Sequence, residues 1–283
     1  MRFSAYDGTQ LEVTEVGPGS GSYPPLVCIP GGPGRAAAYL EDLAGLSQVR
    51  TLLRLDLRAT GRSVVPADLS TMRFDRQADD VEALREHLGL ATLDVFGHSA
   101  GCIVAQCWAS QHPTAVGRLL LVTPSDVLQG GRRTDTEQVR ASFSGEPWYA
   151  DAAEAYDAIR TAPPAQQQSL MRATRPFMYS RWDERTQEHA AGADTQSSKR
   201  AELGFATGKQ EVDKAGLVAG LAAVTAPVLV VGADRDALTG LASVDLVAGS
   251  FPTAQTAVIT DAGHFPWVDA PDGFRAAVDP FLE

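Results

Sequence analysis

The sequence predicts an α/β fold: a mostly parallel eight-stranded sheet, flanked by helices and interrupted by a helical insertion. Short apolar runs that end in Gly, Asp or Ser alternate with segments whose apolar residues recur at helical spacing, as in βαβ units. Most of the apolar runs are nearly continuous, which is typical of strands buried on both faces of a sheet. A long polar segment without such runs separates two groups of these units.

Eight strands can be placed along the chain. The first two, RFSAYD and LEVTEV, are separated by Gly8-Thr9 and are predicted to form an antiparallel hairpin. The other six are predicted in PLVCIPGG, TLLRLDLR, LDVFGHS, RLLLVTPS, PVLVVG and TAVITDAG. Helical spacing is found in RAAAYLEDLAGL, FDRQADDVEALREHLG, AGCIVAQCWASQHP and LASVDLVAGSF, and a closing helix is expected in PDGFRAAVDPFLE.

The chain is predicted to consist of a core and one insertion. Residues 1–124 and 227–283 carry the strand and helix pattern of the core, whereas residues 125–226 contain polar helical stretches and no clear strand. Ligands of open α/β folds bind outside the carboxyl ends of the strands. The insertion is therefore expected to form a helical cap over that crevice.

Composition excludes several classes of partner. The chain has 24 Lys and Arg against 35 Asp and Glu, a net charge of −11, whereas nucleic acids and anionic membranes require basic patches. No uncharged apolar run approaches the ~20 residues of a membrane span, and no signal-peptide pattern opens the sequence. The three cysteines form no CxxC motif, which suits a reducing compartment. We expect a cytoplasmic protein that acts on a small molecule or short peptide.

A short motif interrupts the third of the parallel strands. Residues 97–101 read Gly-His-Ser-Ala-Gly at a predicted strand-to-helix turn. In such a G-x-S-x-G turn the serine hydroxyl stands clear of the sheet, and glycines are needed because a Cβ would crowd the turn. A glycine-rich corner with an incidental serine is the alternative interpretation. We predict that Ser99 is a nucleophile, provided that a base and an acid follow.

Those two partners occur later in the chain. A serine needs a base that accepts its proton and a carboxylate that orients the base. His264 follows the last strand and is the predicted base, while Asp236 follows PVLVVG and is favoured as the acid over Asp234. Asp126, after RLLLVTPS, is a further alternative. The order Ser99, Asp236, His264, with each residue just past a strand, predicts a catalytic triad.

An oxyanion hole requires backbone N–H donors near the nucleophile. Ala100 supplies one predicted donor, and the second is expected in the loop Gly31-Gly32-Pro33-Gly34 after PLVCIPGG. A phosphate-binding loop is a weaker interpretation because no Gly-Lys-Ser/Thr follows. The histidines and acids show no metal-ligand spacing, so we predict neither a metal nor a cofactor.

With these residues the sequence resembles the α/β-hydrolase superfamily, and within it the proline iminopeptidase-like serine peptidases. PGGPG at residues 30–34 is similar to that family's HGGPG loop, and DLRATGRS at residues 56–63 to its DxRGxGxS segment. The resemblance implies that Gly32 is the second oxyanion donor. The sequence departs from the family at Pro30, which replaces the histidine, and at Ala100, where members acting on N-terminal proline often carry an aromatic residue.

The resemblance also implies a substrate. Aminopeptidases of this family hold the free amino group of the substrate with glutamates of the cap, and the insertion offers Asp183, Glu184, Glu188 and Glu202. A solvated acidic helix face is the alternative for each of them. The substrate-binding candidates are Gly31, Trp182, Glu184 and Glu202. The expected function is a proline iminopeptidase-like serine hydrolase that forms an acyl-enzyme; the alternatives are an esterase, lactonase or thioesterase, and a ligand-binding protein without turnover.

Overall fold

The computed structural model describes residues 1–18, 23–131 and 135–283. Its strands are β1 (Arg2–Ser4), β2 (Gln10–Val16), β3 (Leu26–Ile29), β4 (Leu52–Leu55), β5 (Leu93–His98), β6 (Val116–Val122), β7 (Val228–Ala233) and β8 (Ala254–Ile259). They form an eight-stranded sheet in the order β1-β2-β4-β3-β5-β6-β7-β8. Strand β2 pairs antiparallel with β1 and β4, and the other pairs are parallel. The predicted fold class is confirmed.

The α-helices follow strands β4, β5, β6, β7 and β8 in the sequence. They are α1 (Ala78–His87), α2 (Gly101–Gln111), α3 (Thr136–Ala141), α4 (Tyr149–Ala158), α5 (Pro164–Ala173), α6 (Glu184–Ala191), α7 (Ala193–Gln196), α8 (Lys199–Ala206), α9 (Lys214–Gly220), α10 (Gly240–Ala248), α11 (Pro266–Asp269) and α12 (Pro271–Leu282). Helix α2 directly follows β5, and α11 and α12 follow β8. In the described part of the segment between β6 and β7, every regular element is helical.

The central strands of the sheet are buried on both faces, as the apolar runs predict, whereas the edge strands β1 and β8 are partly exposed. In β6, Leu119 and Leu121 pack into one hydrophobic cluster, while Leu120 and Val122 pack into a second cluster on the opposite face. The first cluster includes α1 and α2, and the second includes α12. Side chains of a strand alternate between faces, so a strand between two helical layers needs apolar residues at every position.

The segment RAAAYLEDLAGL does not form the regular helix that its spacing indicates. It contains one short 3₁₀ helix, Ala37–Leu40, and its last residue begins a second, Leu46–Gln48. Between them Glu41, Leu43 and Ala44 have φ of 51°, 51° and 56°, a left-handed conformation that ends a right-handed helix. Apolar spacing is therefore satisfied here by an irregular segment.

The described ranges contain no helix that is long and apolar enough to cross a membrane.

Candidate active site

Ser99 sits at the sharp turn between β5 and α2. Its φ is 54°, which is strained for a residue with a Cβ. The turn is held by backbone hydrogen bonds: Ser99 N–H donates to Val122 O at 3.0 Å, and Ser125 N–H donates to Ser99 O at 3.2 Å. Both partners belong to the end of β6 and the loop after it. The neighbouring strand therefore fixes the conformation that lifts the serine above the sheet.

Close packing requires glycine at position 101 of the motif and favours it at position 97. A Cβ on Gly101 would overlap the carbonyl oxygens of Ile29 and Pro30, and one on Gly97 would lie 3.1 Å from Cys102 Cα. Helix α2 thus packs directly on the backbone after β3. The two glycines allow the nucleophile turn and the loop after β3 to approach each other.

His264 and Asp236 meet at the carboxyl edge of the sheet. His264 Nδ1 lies 3.0 Å from Asp236 Oδ2, and the two residues are 2% and 1% exposed. The backbone of His264 is also fixed, because its N–H donates to Met178 O at 2.8 Å. Of the two alternatives considered for the acid, Asp234 is exposed on the same turn and Asp126 is buried just past β6. The structure brings Asp236 to His264.

Asp236 is held as a carboxylate. Its Oδ1 accepts hydrogen bonds from the N–H groups of Leu238 and Thr239, at 2.8 and 3.2 Å, and Thr239 Oγ1 donates to its Oδ2. Burial by itself would raise the pKa of Asp236, but the charge and hydrogen bond of His264 and these other donors lower the pKa to about 2. An ionised Asp236 orients the His264 ring and stabilises its protonated form.

Two backbone donors near Ser99 are uncommitted. In the described structure the N–H groups of Gly32 and Ala100 donate to no other protein atom, and both residues line a cavity together with Ser99. Gly32 has a φ of 121°, which only glycine adopts readily. Gly31 packs against the turn, where an added Cβ would lie 2.8 Å from Ser99 Cβ. Gly32 and Ala100 therefore have the features of oxyanion donors.

Tyr39 and His98 connect the loop after β3, the turn that carries Ser99, and the loop that carries His264. Gly31 N–H donates to Tyr39 Oη at 2.6 Å, Tyr39 Oη lies 2.7 Å from His98 Nδ1, and His98 Nε2 lies 2.9 Å from the carbonyl oxygen of His264. That carbonyl can only accept, so His98 carries its proton on Nε2 and accepts from the Tyr39 hydroxyl at Nδ1. Burial lowers the pKa of His98 well below its usual value, which keeps the ring neutral. We call this series of hydrogen bonds the Tyr39–His98 relay.

Two cavities are lined in part by Ser99. The first, about 300 Å³, is lined by His264 as well as Ser99 and by residues of the helical segment. The second, about 240 Å³, is lined by polar residues, which include Ser125, Thr239 and the exposed Lys209, and by a set of apolar side chains: Phe74, Ile103, Val127, Phe205 and Leu238. Gly32 and Ser99 line both. In the described residues no hydrogen bond joins Ser99 Oγ to His264 Nε2, although both side chains face the first cavity.

The structure separates the candidates for substrate binding. Glu202 lines the first cavity and forms a 3.0 Å ion pair with Lys199 Nζ. Glu184 is exposed in the first turn of α6 and does not line either cavity. Trp182 packs against Tyr179, with ring centroids 5.7 Å apart, and also lies outside both cavities. Gly31 contacts the nucleophile turn, and its N–H is taken by Tyr39.

Sequence comparison places the chain in a family. The family model described as the alpha/beta hydrolase fold matches residues 24–271, so the chain belongs to that family. Membership agrees with the sheet order and with the position of Ser99 between β5 and α2. It supports the prediction that the chain is a hydrolase.

Known relatives within the fold have different activities. N-formylmaleamate deformylase from Pseudomonas putida is 31% identical over 230 residues, which are 81% of this chain and 77% of that protein. Proline iminopeptidase from Heyndrickxia coagulans is 28% identical over 105 residues, 37% of this chain and 36% of that protein. An esterase from Exiguobacterium antarcticum superposes with a TM-score of 0.74 at 16% identity, covering 100% of this chain and 98% of its own. The chain spans about a third of the length of each of the first curated relatives.

Proposed function

We propose that the protein is a serine hydrolase that cleaves a small ester or amide through an acyl-enzyme. The observation that carries the proposal is the convergence of three elements at one edge of the sheet. They are a strained Ser99, the ionised Asp236 in contact with His264, and two uncommitted N–H donors on Gly32 and Ala100. Each element has a plain structural explanation alone, whereas acyl transfer requires all of them together.

The proposed reaction assigns each group one role. Ser99 Oγ attacks the carbonyl carbon while His264 Nε2 accepts its proton, and Asp236 stabilises the resulting imidazolium. The N–H groups of Gly32 and Ala100 bind the oxyanion. His264 then protonates the leaving group, and water hydrolyses the acyl-enzyme with His264 again as base. The reaction requires His264 Nε2 to come within hydrogen-bond reach of Ser99 Oγ, a contact that in many enzymes tightens only with substrate.

The helical segment is the proposed cap. More than half of the residues that line the first cavity lie between positions 159 and 202, within the predicted cap of residues 125–226. The segment would therefore set the size and polarity of the substrate, while the strand ends supply the chemistry. All three cysteines are buried and unpaired, which supports the expected cytoplasmic location.

A proline iminopeptidase-like activity is the second candidate. Glu202 favours it, since this carboxylate lines the cavity beside His264 and could hold a substrate ammonium group. The relatives named as an iminopeptidase and a deformylase act on amides, which makes an amide substrate reasonable for this chain. Esterases share the fold equally, so the bond that is cleaved requires a direct test.

The test compares kcat/KM on proline 4-nitroanilide and on a short-chain 4-nitrophenyl ester, with Ser99→Ala as the control for each. We expect turnover of the ester that Ser99→Ala abolishes. The second candidate would be established if the wild type cleaves the anilide, does not cleave an N-blocked anilide, and loses its activity on the free-amine anilide in Glu202→Gln. Failure of a fluorophosphonate to label Ser99 in folded protein would contradict hydrolysis and favour a ligand-binding protein.

A further inference from the structure

Arg35 places a buried cation at the first cavity. The residue is 7% exposed and lines the cavity with Ser99 and His264. Its Nε donates to Gln196 Oε1 at 2.9 Å and its Nη2 to the carbonyl oxygen of His189 at 3.1 Å. Both acceptors are neutral. The described structure gives the guanidinium no carboxylate partner, and its Nη1 donates no hydrogen bond to the protein.

The other charged side chains of this cavity have ion-pair partners. Arg175 pairs at 2.5 Å with Asp194, which also pairs with Arg172, and Glu202 pairs with Lys199 at 3.0 Å. Among the charged lining residues that the structure describes, Arg35 alone therefore lacks an ion pair. Arg35 thus brings to the cavity a positive charge that no carboxylate of the described structure pairs with.

Burial of this charge has a physical cost. Desolvation lowers the pKa of Arg35, but a guanidinium remains protonated in proteins. The face of the Tyr39 ring, with its centroid 4.4 Å from the guanidinium carbon, offsets part of the lost hydration. An uncompensated buried charge is destabilising, and an anionic ligand would relieve that cost. The planar guanidinium matches the geometry of a carboxylate.

Arg35 is also close to the reacting centre. Its N–H donates to Gly31 O at 3.4 Å, and a Cβ added to Gly32 would lie 3.0 Å from Arg35 Cβ. The cation thus extends from the same loop that carries the proposed oxyanion donor. A carboxylate held by Arg35 would lie in the cavity that Ser99 and His264 also line.

We infer that the substrate is a small acid: an ester or amide that carries a free carboxylate, which Arg35 binds in the cavity beside His264. This inference rests on the proposed function, because it names what the same site accepts. The second cavity, whose lining is mainly apolar and whose lysine, Lys209, is exposed to solvent, receives the uncharged remainder of the substrate. A free ammonium group in the first cavity would instead meet the uncompensated Arg35.

The test uses two matched pairs of esters, so that the carboxylate is tried on each side of the scissile bond. The acyl pair is 4-nitrophenyl hexanoate and mono-4-nitrophenyl adipate, and the leaving-group pair is phenyl acetate and 3-carboxyphenyl acetate. We expect the wild type to prefer the acidic member in at least one pair. In Arg35→Gln the ratio of kcat/KM for acidic over neutral ester should fall roughly 10- to 100-fold, since a charge-assisted hydrogen bond is lost.

A surface arginine of the helical segment, Arg172 in α5, serves as control. Arg172 pairs with Asp194 but does not line the cavity, so Arg172→Gln removes the same charge without removing the contact. Its ratio should equal that of the wild type. A purely structural role of Arg35 would lower the rates of both members equally and leave the ratio unchanged, and this result would overturn the inference. So would a wild type that prefers the neutral member in both pairs.

Binding separates failure of this inference from failure of hydrolysis. Adipate should raise the Tm of the wild type and of Arg172→Gln but not that of Arg35→Gln, because a ligand stabilises the state that it binds. If adipate binds in this pattern while no ester is turned over and Ser99 is not labelled, the carboxylate site stands and the proposed function fails. If esters are hydrolysed and adipate shifts no Tm, the inference fails alone.

Discussion

The strand ends and the helical segment face the same cavity but are built differently. At the strand ends Asp236 and His264 are at most 2% exposed, and hydrogen bonds hold their rings, carboxylates and backbone in one arrangement. In the helical segment the charged residues of the cavity, Arg175 and Glu202, pair with partners whose side chains are 33% and 59% exposed. Exposed ion pairs contribute little to rigidity.

This difference separates chemistry from selectivity. A buried and fully bonded network can hold reacting groups within the tolerances that catalysis demands. Half-exposed pairs can change with little cost to stability, so they can adapt the cavity to different substrates. Substitutions of Asp236 and His264 should therefore affect every substrate alike, whereas substitutions of other residues that line the first cavity, Arg35 among them, should change the preference among substrates.

The largest effect is expected at the acid. Asp236→Asn keeps the shape of the side chain but cannot stabilise the His264 imidazolium, so kcat should fall roughly 10³- to 10⁴-fold on ester and amide alike. Asp234→Asn is the matched control, because Asp234 is exposed on the same turn. Steady-state kinetics on both substrates, with melting curves to verify folding, check this prediction. Equal losses in the two variants would contradict the assignment of the acid.

A smaller effect is expected from the Tyr39–His98 relay. Tyr39→Phe removes the acceptor of Gly31 N–H and the donor to His98 Nδ1, which should loosen the oxyanion loop and lower kcat roughly tenfold. Tyr179→Phe is the control, since Tyr179 lines the same cavity but bonds to His189. We expect that control to change KM more than kcat. A kcat for Tyr39→Phe equal to that of the wild type would show that the relay is not needed for catalysis.

Two glycines allow the tightly packed strand ends and the helical segment to be compared by their effect on the free energy of unfolding. Gly101→Ala forces a Cβ against the backbone after β3 and should reduce the free energy of unfolding by roughly 1–3 kcal/mol. Gly145, in the helical segment, has no atom within 4 Å of an added Cβ, so Gly145→Ala should change it by less than about 0.5 kcal/mol. Urea unfolding of both variants measures the difference. Two equal values would refute the close packing at the turn.

The smallest effect concerns His189, which joins the two regions. Its Nε2 lies 2.9 Å from Tyr39 O and its Nδ1 lies 2.7 Å from Tyr179 Oη. Burial lowers the pKa of His189, and the Arg35 charge adds to this, although the Tyr39 carbonyl opposes it. The folded state therefore binds the proton less readily than the unfolded state. Neutral His189 therefore contributes to the free energy of unfolding above about pH 6.5. This contribution is lost as the pH falls toward the lowered pKa of the folded state.

His189→Gln keeps a donor for the Tyr39 carbonyl but does not titrate. Between about pH 8 and about pH 5 its Tm should therefore decline less than that of the wild type, by roughly 2–4 °C. Thermal melts across this range, with His87→Gln as an exposed-histidine control, check the prediction. If the Tm of His189→Gln falls as much as that of the wild type, groups other than His189 cause the pH dependence.

The positions of the catalytic candidates could be predicted because they follow local rules. Ser99, Asp236 and His264 each come just after an apolar strand, and parallel strands bring their carboxyl ends to one edge. Gly97 and Gly101 could be predicted for a similar reason, because a Cβ at either position would crowd the turn. Strand pattern and chain order were sufficient to predict where these residues lie, and their catalytic roles are proposed above.

The rest of the site depends on tertiary packing that spacing does not show. Tyr39 belongs to a segment that reads as a helix, and only its irregular course brings the hydroxyl to Gly31 and His98. The acidic residues of the helical segment have similar surroundings in sequence, yet Glu202 faces the cavity and Glu184 faces solvent. Arg35 directly follows the glycine loop, a position that could have drawn attention to it.

The most direct test of the central claim is to trap the covalent intermediate. Protein quenched in acid during turnover of a 4-nitrophenyl ester is analysed by intact mass and peptide mapping, with Ser99→Ala treated in parallel. We predict one acyl group on the peptide that contains Ser99, and none on Ser99→Ala. An unmodified protein during steady turnover, or an acyl group on another residue, would contradict a mechanism in which Ser99 is the nucleophile.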